Sequence, residues 1–189
     1  MIAYLFWHWP HHDVEIEDYE RSLSRFHETL AEASLEGFHG SATFRTESMP
    51  WAGSRSYGYE DWYLLKSSCV LDPLNEVAVS GGRREPHDKA ARKAAGGAGG
   101  LYRLESGEPD VARLLFATWI TKPAGTGYQD FYAGLEPWGN LPGTSLWRRQ
   151  MVLGPAPEFR LLGEQPFQPP ANLGPVTIKK ALIWPTVET

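Results

Sequence analysis

The feature that most constrains this chain is that its second half repeats the first in outline. Leu5-Phe6 and Trp9 of the opening segment fall on Leu115-Phe116 and Trp119. "GSATFRTESMP" from Gly40 falls on "GTSLWRRQMVLGP" from Gly143, with Phe44 opposite Trp147 and Arg45 opposite Arg148. Recurrence of this kind marks a duplicated unit. The division lies near Gly107–Asp110, giving repeats over residues 1–107 and 108–189 that together form one compact unit.

Within the first repeat the elements follow from periodicity. Residues 2–9 are rich in aromatics, end at Pro10 and read as a strand. Ile16, Tyr19, Leu23, Phe26, Leu30 and Ala33 recur at spacings of three and four, one apolar stripe of a helix that runs toward Gly37. Asp13 is placed to cap it, and Glu17 and Arg21 to pair along its exposed side. "HGSATFRTES" (39–48) and "YEDWYLLKS" (59–67) alternate as half-buried strands, joined by a turn over 49–58. Asp72-Pro73 opens a helical piece and Pro86 another; "GGAGG" (96–100) reads as a flexible connection, and 101–105 as a fourth strand. Strand, helix, strand, strand, helix, strand is the split β-α-β, ferredoxin-like order. The second repeat keeps it with a shorter helix in "GYQDFYAGLEPWG" and a reduced one in "FQPPANLG".

Bulk properties narrow the function classes. The 189 residues suffice for a substantial core, and 42% hydrophobic with 22% charged residues is an ordinary globular balance. A net charge of −5 argues against a general nucleic-acid surface, which needs excess cations to displace counterions. The basic cluster Arg83, Arg84, Lys89, Arg92 and Lys93 is diluted by Glu85 and Asp88 and reads as a solvated helix face. A single cysteine, Cys69, allows no intrachain disulfide. The run Ile2–Trp9 is too short to span a bilayer and lacks the flanks of a signal peptide. A cytoplasmic protein, monomeric or homodimeric, is expected, with no nucleic-acid or membrane partner.

With "YLFWHW", the helix from Ile16 to Glu36, "YEDWYLLKS" and the repeated block ending at Trp184, the sequence resembles the dimeric α+β barrel superfamily, fused into one polypeptide. The resemblance implies an α+β fold of two tandem ferredoxin-like β-α-β-β-α-β units, their antiparallel sheets packed face to face with a cavity between. It includes small monooxygenases, isomerising enzymes and haem proteins of the chlorite dismutase type. It implies no single reaction.

Side chains alternate along strands, so the two faces can be sorted. The more apolar set, Leu5/Trp7, Ala42/Phe44 and Trp62/Leu64, is expected to pack under the helices. Tyr4, Phe6, His8, Thr43, Arg45, Asp61 and Tyr63 form the other face, aromatic walls with a few polar groups, as a small-molecule cavity requires. The aligned positions of the second repeat add Phe116, Thr118 and Arg148. His8 is the candidate acid–base group, oriented by Asp61 and Tyr63, with Arg45 stabilising an anion. Tyr4, Phe6, Thr43, Phe116, Thr118 and Arg148 would line the ligand.

Other constellations are weaker. His8, His11, His12 and Asp13 carry metal-ligand chemistry, but only His39 or His27 is at hand to complete a four-ligand site, so no metal is expected. A haem would need one axial histidine, His8 or His87. "GGAGG" follows a helix and precedes a strand, the wrong order for a nucleotide fingerprint, and no Gly-x-Ser-x-Gly elbow is present. Two function classes follow. One is a cofactor-independent monooxygenase- or isomerase-like enzyme acting on a small organic molecule. The other is a binding or structural protein whose interior is filled by its own side chains.

Overall fold

The computed structural model describes residues 1–52, 55–151 and 156–185. The elements in order are β1 (Ile2–Pro10), α1 (Ile16–Ala31), β2 (Phe38–Thr46), β3 (Gly58–Leu65), α2 (Leu71–Ala78), α3 (Arg84–Ala91) and β4 (Ala94–Gly107). They continue with β5 (Phe116–Ile120), α4 (Tyr128–Gly139), β6 (Thr144–Arg149), β7 (Phe159–Gly163) and β8 (Val176–Trp184). The eight strands hydrogen-bond, all antiparallel, into one closed barrel in the order β1-β3-β2-β8-β5-β7-β6-β4. Closure removes every free sheet edge. The expected pair of sheets is thus one continuous wall, joined through β2 with β8 and β4 with β6. No helix among the described residues is long and apolar enough to cross a membrane.

The stripe on α1 is realised: Tyr19, Leu23, Phe26 and Leu30 are buried. The helix ends at Ala31 rather than near Gly37, and Glu15, not Asp13, stands at its N-cap. Arg21 pairs with Asp18 instead of Glu17, one residue closer. Asp72 lies inside the first turn of α2 rather than capping it. Part of the turn over 49–58 (53–54) and of the repeat block (152–155) lies outside the described residues.

"GGAGG" is no connection. It lies in the first half of the fourteen-residue strand β4, and each of its five residues is paired with β1. The aromatic rings of β1 lie across it. A Cβ at Gly97 would stand 2.4 Å from the Phe6 ring, and one at Gly99 2.5 Å from the Tyr4 hydroxyl. Glycine is there to let rings lie flat on the neighbouring strand, a use that turn statistics do not anticipate.

The two faces of the barrel wall segregate as alternation requires, but with inside and outside exchanged. Leu5, Trp7, Ala42, Phe44 and Trp62 join Trp119, Trp147 and Leu162 in the barrel's interior core. Trp7 meets Trp119 at 5.7 Å and Trp62 meets Trp147 at 5.2 Å, contacts between non-adjacent strands. The helices cover the opposite face: Phe26 and Leu30 of α1 and Leu74 of α2 pack with Tyr63, Tyr4 and Phe6. The most apolar residues went inward because a closed eight-stranded barrel has a narrow interior that side chains fill.

Candidate functional site

β1, β3 and β2 lie side by side, and their register brings Phe6 and Thr43 directly against Asp61, with His8 opposite Tyr59. Alternation points Tyr4, Phe6, His8, Asp61 and Tyr63 toward the helices. There they line a cavity of about 380 Å³ with Tyr19, Leu23 and Phe26 of α1, Leu74 and Asn75 of α2, and His87 and Ala90 of α3. The site is therefore between barrel wall and helices, not between sheets. Grouping by face assembled these five residues correctly; the expectation of which side they face did not hold.

Asp61 is the hub. It is 4% exposed. Thr43 donates its hydroxyl to Oδ1 in a very short hydrogen bond, and Tyr63 donates to Oδ2 at 3.3 Å. Two imidazoles face the same carboxylate, His8 Nε2 at 3.2 Å and His27 Nε2 at 3.4 Å, both off the line of a well-formed hydrogen bond. Burial alone would push the Asp61 carboxyl up, but the two histidines outweigh it and hold it well below the usual carboxylate range. A group ionised so deep in the fold shapes its neighbours: burial first, and then Asp61, push the Tyr19 and Tyr63 hydroxyls above an ordinary phenol. Tyr4 moves the same way for the same reasons.

His8 is 1% exposed, stacked between Phe6 at 5.4 Å and Tyr59 at 5.5 Å. Its Nδ1 lies 2.6 Å from the Tyr19 hydroxyl. Because an ionised Asp61 can only accept, the tautomer that suits the site carries its proton on Nε2. Tyr19 then donates to Nδ1. The result is a chain Tyr19–His8–Asp61 that ends at the cavity wall. His27 is anchored separately, with Nδ1 2.8 Å from Ser41 Oγ.

Sequence reasoning did not select Tyr19 and His27 for the site. Both belong to the buried face of α1, His27 four residues after Leu23 and eight after Tyr19. A histidine in phase with an apolar stripe was the available signal.

The remaining sequence candidates are not brought together. Arg45 does not line the cavity and pairs with Glu20 of α1 at 2.9 Å, so its charge is already matched. Thr43 is buried behind Asp61 and does not line the cavity. Phe116, Thr118 and Arg148 lie on the helix-facing side of the second half, remote from the cavity lining. Thr118 bonds Thr177 at 2.9 Å, and Arg148 pairs with Glu158 at 2.9 Å over the ring of Tyr128. The reason is topological: closure sends the outer faces of the two halves to different parts of the surface. His11 and His12 are exposed at the turn into α1. Among the described residues no group of three His, Cys, Asp or Glu side chains is placed to hold a metal ion.

A second buried cluster lies on the other side of β3. Glu60, beside Asp61 in sequence, points into the barrel and takes Arg160 Nη2 on both oxygens at 2.8 Å. Trp7 and Trp62 donate to the same carboxylate at 3.2 and 3.4 Å. β3 and β7 are opposite one another in the ring of strands, so this pair spans the interior. Arg160 also stacks on Trp119, 4.1 Å from the ring centroid. Lys180 joins them with Nζ 3.7 Å from the centre of the Phe44 ring and no hydrogen-bond partner. Burial pushes Lys180 down to about 7, Glu60 opposing and Arg160 assisting.

No family model matches the chain, and no curated protein matches it significantly. Solved structures do share its fold. A protein of Fusobacterium nucleatum provisionally described as a monooxygenase aligns with a TM-score of 0.56 at 10% identity, over 86% of this chain and 74% of its own. One of Lactobacillus acidophilus, described likewise, gives 0.51 at 7% identity over 85% and 74%. A protein provisionally described as a chlorite dismutase reaches 0.46 at 14% identity over 88% and 80%. The likeness is one of fold, an α+β barrel.

Haem, which the sequence resemblance raises with His8 or His87 as its axial ligand, does not suit the cavity. Both ring nitrogens of His8 already face protein groups, Tyr19 and Asp61. His87 lines the cavity with Nδ1 turned to Asp88. Yet the described lining has no Lys or Arg to meet two propionates and presents two carboxylates, Asp61 and Asp72.

Proposed function

We propose that the chain binds a small aromatic molecule in the helix-side cavity and moves a proton to or from it, as a cofactor-independent monooxygenase- or isomerase-like enzyme. The observation that carries this reading is the buried chain Tyr19–His8–Asp61 at the wall of an aromatic-lined cavity. Aromatic walls with a few convergent polar groups are the composition of small-molecule sites. In this reading Tyr19 passes its hydroxyl proton to His8 Nδ1 as it takes one from the ligand. Asp61 stabilises the imidazolium that forms, and Tyr63 and Thr43 hold Asp61 in place. The proton's electron pair stays on the ligand, where it can attack dioxygen or recover a proton at another atom. Both outcomes belong to the reaction classes that the sequence resemblance implies. We read the chain as tandem ferredoxin-like units, 1–107 and 108–189, with the site in the first. The recurrence of the order β4-β1-β3-β2 as β8-β5-β7-β6 around the barrel supports that division.

The competing structural reading draws support from the barrel interior, which its own side chains fill. The test is occupancy of the cavity. The neutral fluorescent probe N-phenyl-1-naphthylamine is expected to bind the intact protein with enhanced emission. Ala78→Trp, which places an indole against the cavity, is expected to abolish that binding without loss of fold by circular dichroism. Binding undisturbed by Ala78→Trp would sink the reading.

A further inference from the structure

Resting on that reading of the cavity, we propose that its ligand is an aromatic amine, bound with its ring among the aromatic walls and its ammonium toward Asp72. The argument is one of charge and surface. Tyr4, Phe6, Phe26 and Tyr63 offer ring surface to whatever enters. The ionisable groups of the described lining are acidic, imidazole or phenol; none is a lysine or arginine. Lys93, on the α3–β4 connection, is drawn back to the Asp18 carbonyl and Ser22 on α1, and Arg83 donates to the Val77 carbonyl. An anionic ligand would therefore enter an apolar cavity with no lysine or arginine to meet it and with Asp61 and Asp72 to repel it, a desolvation poorly compensated.

Asp72 stands in the first turn of α2 and is exposed at the cavity's rim. No hydrogen bond or ion pair engages it among the described residues, and Asn75 beside it on the rim is likewise uncommitted. Deeper in, His8 and Asp61, facing each other at 3.2 Å, form the polar floor of the cavity. A cation between ring faces and a carboxylate gains from both. An ammonium on a flat ring fits this lining at each point: rim carboxylate, aromatic walls and polar floor.

The experiment compares three ligands of one shape at neutral pH by calorimetry on the intact chain: 1-naphthylmethylamine (cationic), 1-naphthylmethanol (neutral) and 1-naphthoate (anionic). The amine is expected to bind about tenfold more tightly than the alcohol, and the naphthoate most weakly. Asp72→Asn, an exposed substitution, is expected to bring the amine level with the alcohol while leaving the alcohol's affinity unchanged. Added salt is expected to narrow the gap in the unaltered protein. Naphthoate binding as well as the amine, or an amine preference that survives Asp72→Asn, overturns the charge assignment and leaves the cavity reading standing. If none of the three binds, the cavity reading falls and this inference with it.

Discussion

Glu60 and Asp61 are consecutive carboxylates on β3, both buried, and they meet opposite surroundings. Glu60 enters the barrel and is clasped by a guanidinium that cannot lose its proton, with two indoles completing its acceptors. Asp61 enters the helix-side cavity and is faced by two imidazoles and two hydroxyls, groups whose protons can move. Both carboxyls lie below their ordinary value: burial opposes the shift in each, and Arg160 with Lys180 overcomes it for one, His8 with His27 for the other. The difference separates a strut from a site. A permanent cation fixes charge and geometry, whereas an imidazole can take up or give away a proton.

The largest effect should come from breaking the strut. Arg160→Met takes from Glu60 its hydrogen-bonded cation, leaving two indoles and the unbonded Lys180, and is expected to cost about 3–5 kcal/mol in urea unfolding. A loss under about 1 kcal/mol would contradict the contrast drawn above. His8→Gln should act the other way round. Turnover of any substrate the cavity accepts is expected to fall by about 10²-fold or more, with a much smaller change in the urea midpoint. Steady-state rates and unfolding curves on the same preparation separate the two effects.

Proton linkage sharpens the comparison further. A carboxyl held below its ordinary value contributes stability that is complete above about pH 4 and lost as pH falls past that point. Melting temperatures followed into acid are therefore expected to fall more steeply for the native chain than for Asp61→Asn. Lys180 behaves oppositely. Its folded value near 7 lies below the ordinary lysine value, so its burial penalty is complete below pH 7. The penalty fades as pH rises from there toward about 10.4. Lys180→Met is expected to raise stability by about 1 kcal/mol or more at pH 6, a gain that shrinks steadily through alkaline melts. The smallest effect belongs to Arg45→Ala, which breaks a half-exposed pair with Glu20. Its expected cost is about 0.2–1 kcal/mol, with ligand affinity in the cavity unmoved.

How far these two environments were legible in the sequence depended on the residue. Alternation alone sorted Tyr4, Phe6, His8, Asp61 and Tyr63 onto one face, because side-chain direction along a strand is a local property. Which face the helices cover is not local. Trp7, Phe44 and Trp62 suit a helix interface and a barrel lumen equally, and ring closure decided between them. Glu60 and Arg160 are one hundred residues apart in sequence, so no spacing rule could join them. Arg45 and Arg148 were linked by the repeat, yet a shared position in two copies does not place two side chains in one site. The glycines of β4 read as a loop because their role depends on rings carried by β1.

The adjacency of residues 60 and 61 also bears on how reliably the chain finds its pairing. Sliding β3 by one position would turn Asp61 into the lumen and Glu60 toward the imidazoles, each at the wrong reach for its partners, and would turn Trp62 and Leu64 out of the interior core toward the helices. Misaligned intermediates are thereby penalised on both faces of the wall at once. The two acids thus act as a proofreading mark for assembly, independent of whatever the cavity binds.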